Sequence, residues 1–187
     1  MPRHPMTPYH VTAAIVLGTA VLLLWMGRAP ICPCGTVRLW HGDPASPESS
    51  QHLADWYTPS HIIHGILLYG LTLALAPRLA VGWRLALATV VEAIWEIVEN
   101  SAAMIERYRT TTVSTEYGGD SVLNSTADVL AMVAGFWLAR VLPVWASLGL
   151  ILGFEVLTTW LIRDGLLLNV VMLVWPVEAI LRWQGAG

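Results

Sequence analysis

The succession of apolar runs along this chain, each close to the length a helix needs to cross a bilayer, constrains its fold more than any other feature. The runs cover about Val11–Gly27, His61–Ala76, Val81–Asn100, Ser121–Ala139, Val144–Ile162 and Leu166–Ile180. A hydrocarbon layer of about 30 Å takes about 20 helical residues, so several runs sit near the lower limit. The chain therefore reads as all-α, an integral membrane helical bundle of about six transmembrane helices, or five if a short run is re-entrant. It forms a single domain over residues 1–187, with polar, Pro- and Gly-containing loops at about 28–60 and 101–119. The first run is expected to be a retained helix, because Gly27-Arg28-Ala29-Pro30 offers no small-residue cleavage site after it.

Only 12% of the residues are charged and 56% are hydrophobic, whereas a soluble domain carries about 25% charged residues. Ten Trp fit a membrane protein, since Trp gathers where its ring is in lipid and its N–H is wet. A net charge of −3 without any basic cluster excludes a nucleic-acid surface and leaves the lipid bilayer as the expected partner. All the basic residues are Arg. With six spans, Arg3, Arg78, Arg84, Arg140 and Arg182 fall on one side, and Arg28, Arg38, Arg107, Arg109 and Arg163 on the other. The first set flanks short, acid-free loops, which places both termini in the cytoplasm of a bacterium and the protein in its inner membrane. Cys32-Pro33-Cys34-Gly35 holds both cysteines. A bridge across one intervening residue is strained, so none is expected, and two thiolates alone do not complete a metal site.

A charge at bilayer depth costs at least about 2.5–3.5 kcal/mol on insertion scales, yet His61, His64, Glu92, Glu96, Glu99, Asp128 and Glu155 lie in the spans or at their ends. His61 and His64 stand one turn apart. Glu92, Glu96 and Glu99 form one stripe, and Asp120, Asn124 and Asp128 another, with Ser121 and Ser125 beside it. Three helices thus each present a polar face, and alternating topology brings His61, Glu99 and Asp120 to the same side of the membrane. Arg107, Arg109, the Cys-Pro-Cys-Gly loop and Arg163-Asp164 share that side, the periplasmic one in this orientation. Each group also has a plain structural reading. The His pair can bond carbonyls or nearby Glu, and the Glu stripe can pair with Arg107, Arg109 and Arg163. Asp120-Ser121 can cap a helix, Asn124 and Ser125 can bond between helices, and Glu155 can pair with Arg163.

Five stretches carry a family resemblance: Asp55-Trp56-Tyr57-Thr58-Pro59-Ser60-His61-Ile62-Ile63-His64-Gly65, Trp95-Glu96-Ile97-Val98-Glu99-Asn100-Ser101, Arg107-Tyr108-Arg109, Gly119-Asp120-Ser121-Val122-Leu123-Asn124-Ser125 and Ile162-Arg163-Asp164. Over about Cys32–Gln184 the chain resembles an uncharacterised family of bacterial multi-pass inner-membrane proteins. It departs at Gly118, where a bulky residue is expected, and at Gly165, where Asn is expected. The second change would loosen the start of the sixth helix. The resemblance implies class and localisation and brings no activity. A fainter likeness is to VanZ-like membrane proteins, which pair a His-Gly helix and a Glu-bearing helix with a later Asp-containing one.

Three functions fit these residues. The first is an enzyme acting on a lipid or lipid-linked envelope intermediate. In it His61, His64, Glu96, Glu99, Asp120 and Asp128 are the catalytic candidates, and Arg107, Arg109, Ser121 and Asn124 the substrate-binding ones. His61, His64, Glu96, Glu99 and Asp120 are also suited to a divalent metal such as zinc or iron, which would activate water. The second is a proton- or ion-coupled transporter, whose polar path should continue to the opposite face. The third is a non-catalytic assembly protein whose polar cluster fixes helix packing.

Overall fold

A computed structural model describes residues 7–185, so Arg3 lies outside the described residues. Their regular structure is helical: α1 (Pro8–Trp25), α2 (Thr58–Leu75), α3 (Val81–Glu99), α4 (Ala102–Thr111), α5 (Val122–Val141), α6 (Val144–Ile162), α7 (Leu166–Val174) and α8 (Glu178–Gly185). Pro8 and Pro59 sit in the first turns of α1 and α2, where a missing N–H costs nothing and the fixed φ suits a helix. α5 is capped by Ser121, whose Oγ accepts the Asn124 N–H at 3.1 Å. Asp120, the expected cap, instead turns its carboxylate inward onto Asn100 and Tyr117. The polar connection at 101–119, expected to be loop, instead contains a helix, α4, capped by Ser101.

Four helices, α1, α2, α5 and α6, are long and apolar enough to cross a bilayer. α3 matches them at 19 residues. Its acidic stripe lowers its hydropathy but faces inward, while Leu87, Val90, Val91 and Ile94 point outward. The distribution of side chains is inside-out. Leu17, Val21, Leu148, Leu152 and Val156 are exposed, with Trp25, Trp145 and Trp160 near helix ends, whereas His61, Glu92, Glu96, Asn100 and Asp128 are buried. That is the arrangement of a membrane protein, whose solvent is lipid.

The sixth expected span does not form. Its residues divide into α7, of 9 residues, and α8, of 8, on either side of Trp175-Pro176-Val177. Pro176 cannot donate to the helical ladder and disfavours helical geometry at the residue before it. Nine residues rise only about 14 Å, about half of what a crossing needs. The segment stays at the end of the bundle where α6 finishes. Arg107 Nε donates to the Leu173 carbonyl at 2.9 Å, Arg163 Nη1 to the Trp183 carbonyl at 2.9 Å, and Gln184 Nε2 to the Arg163 carbonyl at 3.0 Å.

Glu155 anchors this segment. It has no ion pair with Arg163, the expected partner; its two oxygens accept the Leu166 and Leu167 N–H groups at 2.9 and 3.0 Å, capping α7 from the last turns of α6. A carboxylate on the first amides of a helix meets both orphan donors and the positive dipole end. Gly165 gives it room, since a Cβ there would lie 2.9 Å from Thr158 Oγ1 and 3.3 Å from Glu155 Oε2. Replacing Glu155 by Ala should cost about 1.5–3 kcal/mol. Hydrogen exchange at Leu166–Val174 should accelerate while α2 and α3 stay protected.

The bundle is held by a backbone-close crossing of α2 and α5. A Cβ on Gly65 would lie 2.0 Å from the Met132 carbonyl oxygen, and one on Gly135 2.1 Å from that of Ile62. Below this crossing, Leu85, Ala88, Val129, Met132 and Phe136 form a dry core. Above it, toward the start of α2, the end of α3 and the start of α5, the interior is polar.

Candidate functional site

α2 runs away from the polar end of the bundle and α3 runs toward it. The antiparallel pairing sets His61 near Glu96 and Glu99, and His64, one turn deeper, beside Glu92. Glu92 is the hub. Its Oε1 accepts from His61 Nδ1 at 2.6 Å, and both its oxygens lie 3.1 Å from His64 Nδ1. Glu96 Oε1 is 3.6 Å from His61 Nδ1, and Asp128 Oδ2, reaching in from α5, is 3.9 Å from His61 Nε2. Glu96 is 0% exposed, yet neither of its carboxylate oxygens has a hydrogen-bond partner, nor has Asp128 Oδ1. Glu99 accepts the Tyr108 hydroxyl at 2.7 Å.

Between this nest and the aqueous side lies a layer of closed hydrogen bonds. Asn100 and Asp120 bond reciprocally: Asn100 Nδ2 donates to Asp120 Oδ2 at 2.8 Å, and the Asp120 N–H donates to Asn100 Oδ1 at 2.7 Å. Tyr117 donates to the other Asp120 oxygen at 2.9 Å. Burial pushes the Asp120 carboxyl above its usual range, although Tyr117 and Asn100 favour its charge. Asp120 thus ties α3 to α5, with its lone pairs already used. Ser121 Oγ donates to the Gln51 carbonyl and Asn124 Nδ2 to the His52 carbonyl, at 3.0 and 2.8 Å, fastening the loop after α1 over the site. Arg107 Nε and Arg109 Nε donate to the Leu173 and Tyr117 carbonyls. The structural alternative of Arg–Glu glue on the stripe is therefore not what these arginines do.

Two cavities meet at His61. One, of about 320 Å³, is lined at its polar end by Tyr57, His61, His64, Glu92, Glu99 and Tyr108. It continues past Leu67, Leu68, Val91 and Trp95 of α2 and α3 and Leu166 and Val170 of α7. Leu67, Val91 and Val170 are also exposed on the outer surface, so this cavity opens sideways onto the apolar flank of the bundle. The other holds only about 20 Å³ and is lined by His61, Glu99, Asp120, Asp128 and three tyrosines, with Ser50 and Ser114.

Of the sequence candidates, His61, His64, Glu96, Glu99 and Asp128 come together. Asp120 borders the group, while Arg107, Arg109, Ser121 and Asn124 hold the scaffold around it. Glu92 joins them, and its place has a sequence signal: it lies one turn from Glu96 on α3 as His64 lies one turn from His61 on α2, so antiparallel helices set it beside His64. Tyr57 and Tyr108 carry no periodic signal, because they come from a helix start and from a connection expected to be loop, and Trp95 on α3 carries none that sets it apart from an ordinary apolar position.

Cys32 and Cys34 are joined, against expectation; their Cα atoms are 5.1 Å apart, within the span a disulfide bridges. His52 Nε2 donates to Glu48 at 3.0 Å nearby and holds that carboxyl below its usual range. Ligand atoms of Cys32, Cys34, Glu48 and His52 lie within 4.8 Å of one another, as do those of His61, His64 and Glu92, and those of His61, Glu96 and Glu99.

Asp164, at the α6–α7 corner, accepts from the Gly165 N–H, Asn169 Nδ2 and Tyr57. Burial raises its carboxyl from 3.8 to about 6. The folded state then binds the proton more tightly than the unfolded state. The contribution of Asp164 to stability is fully present below about pH 3.8 and is lost as pH rises through about 6. Thermal unfolding between pH 4 and 7 should show a shallower fall in Asp164→Asn than in the wild type.

The profile of a family described as "Protein of unknown function (DUF2585)" matches residues 23–186. A "UPF0314 protein" of Paracoccus denitrificans is 63% identical over 179 residues, 96% of this chain and 93% of that protein. One from Novosphingobium aromaticivorans is 53% identical over 180 residues, 91% of this chain and 89% of that protein. One from Sphingopyxis alaskensis is 51% identical over 97% of this chain and 96% of that protein. No solved structure matches the chain. Nothing in these matches supports the fainter likeness to VanZ-like proteins.

Proposed function

The chain belongs to the DUF2585 family, proteins of unknown function, and we propose that it is a membrane-embedded hydrolase or transferase acting on a lipid or lipid-linked envelope intermediate. One observation carries this reading: the side-opening cavity is apolar toward lipid and ends on His64 and Glu92. An acyl or polyprenyl chain fits between Leu67, Leu68, Val91 and Val170, with its polar end against the imidazole. Glu92 fixes the Nδ1–H of His64, which leaves Nε2 as the free nitrogen to take a proton from an attacking water or hydroxyl. No arginine lines the cavity among the described residues, so the charge of a phosphate-bearing substrate would need a cation at the His61–Glu96–Glu99 end.

The inner membrane and the orientation belong to the same reading. In it, five crossings by α1, α2, α3, α5 and α6 would put the site and α8 at the periplasmic face and the start of α1 at the cytoplasmic one. Six crossings would have put both ends in the cytoplasm. Transport is supported less, because the polar groups give way to the dry core around Met132 and Phe136. An assembly role draws support from the closed Asn100–Asp120 layer, but that layer lies outside the cavity.

The test is turnover of lipids. Purified protein in vesicles made from bacterial envelope lipid extract is incubated, and the lipids are profiled by mass spectrometry. Wild type should deplete one lipid class and accumulate its product, and His64→Ala should do so ~10²–10⁴-fold more slowly. Profiles that stay identical with wild type, His64→Ala and empty vesicles would remove the enzymatic reading.

A further inference from the structure

Glu96 is the least explained side chain in the protein. A carboxylate that is fully buried and without a hydrogen-bond partner on either oxygen must keep a proton or face a cation. Its neighbours decide between these, because they complete a ligand set. We infer that His61, Glu96, Glu99 and Asp128 form a divalent-cation site, built into the enzyme proposed above and resting on that reading.

The geometry separates this nest from the other histidine cluster. His61, His64 and Glu92 are within ligand distance of one another, but Glu92 already accepts from both imidazoles, so that group is satisfied as it stands. Around His61, by contrast, both oxygens of Glu96 and Oδ1 of Asp128 keep free lone pairs. With Nδ1–H donated to Glu92 at 2.6 Å, the Nε2 lone pair points away, toward Asp128 Oδ2 at 3.9 Å. A carboxylate that holds the far nitrogen of a ligating imidazole is the usual outer support of a metal-bound His. Ligand atoms of His61, Glu96 and Glu99 lie within 4.8 Å of one another, with Glu96 Oε1 3.6 Å from His61 Nδ1. Asp128 Oδ1 is buried and unpartnered, and Asp128 lines the same small cavity as His61 and Glu99.

Space is also provided. The small cavity of about 20 Å³ is bordered by His61, Glu99 and Asp128 and has room for about one ion or water. Three carboxylates and one neutral imidazole suit a harder or borderline ion, manganese, iron or zinc, over a soft one. The bound charge would relieve the mutual repulsion of Glu96, Glu99 and Asp128. His64, one turn along α2, stays unligated and faces the large cavity, so the base and the cation would approach a substrate's polar end from adjacent positions.

The experiment reads the cation directly. Protein purified in detergent without chelator is assayed by elemental mass spectrometry, then stripped and titrated with Mn²⁺, Fe²⁺ or Zn²⁺ while its thermal midpoint is followed. Wild type should carry close to one equivalent, and the stripped protein should gain several degrees with one of the ions. Glu96→Gln should lose the ion and the response while keeping its helicity and monodispersity. Asp128→Asn serves as the second variant if Glu96→Gln does not fold, and His64→Ala should retain the ion. A wild type that carries no metal and whose stripped form responds to none of the three ions overturns the inference, as does metal content unchanged in both carboxylate variants. Lipid turnover measured in parallel keeps the two readings apart. Turnover without metal removes only the cation site, and stoichiometric metal without turnover removes only the enzyme.

Discussion

A Gly65→Leu chain is expected to fail to close its bundle. The Cβ that any substitution adds at this position would stand 2.0 Å from the Met132 carbonyl and 2.6 Å from the Phe136 amide nitrogen, and these are backbone atoms that no rotamer change can move. α2 and α5 would have to part, and His61 and Asp128 would part with them. Overpacking a core usually costs about 1–3 kcal/mol; a clash between two backbones belongs at or beyond the upper end. The control lies on the same helix. Gly70→Leu meets nothing within 4 Å, so it should fold like wild type. Size-exclusion profiles and thermal midpoints of the two variants measure the difference.

The second large effect is expected at Glu92. Truncation to Ala strips both imidazoles of their shared acceptor, leaving the buried His61 N–H only the more distant Glu96 Oε1 at 3.6 Å and the half-buried His64 N–H without its partner. Breaking a buried pair from one side costs about 3–5 kcal/mol, enough to threaten a protein of ordinary stability. Glu92→Gln keeps the volume and one acceptor oxygen, so the fold should survive. The amide no longer holds His64 in the tautomer that frees Nε2, and turnover should drop by ~10²–10⁴-fold. A Glu92→Gln protein as active as wild type would take Glu92 out of the chemistry and leave it as packing.

The convergence of the polar faces was legible in the sequence because helical periodicity fixes which residues share a side. His61 with His64, Glu92 with Glu96 and Glu99, and Asn124 with Asp128 needed only a spacing of three or four. Which of those groups remain free was not legible, since it depends on partners from other elements. Asp120 looked as available as Asp128, but Asn100 and Tyr117 occupy it, whereas Asp128 keeps an unpartnered oxygen. The failure of the sixth span was partly readable in Pro176. What could not be read was the anchoring of α7 by Glu155, a contact set by the corner at Arg163-Asp164-Gly165, where Arg163 takes a left-handed backbone. α4 was hidden by its polar composition, because a short helix at the bundle's end has little apolar stripe to reveal it. Pairing α2 with α3 in antiparallel depth would have brought Glu92 forward without any coordinates.

The central claim is that the cavity between α2, α3 and α7 takes a lipid chain. Native mass spectrometry of protein stripped of bulk lipid by extended detergent washing tests it most directly, comparing wild type with Leu67→Trp, which fills the cavity from an exposed position. One lipid should be retained per wild-type chain and none, or a much smaller fraction, in Leu67→Trp, with both proteins equally folded. Equal retention in the two proteins, or none in either, would contradict it.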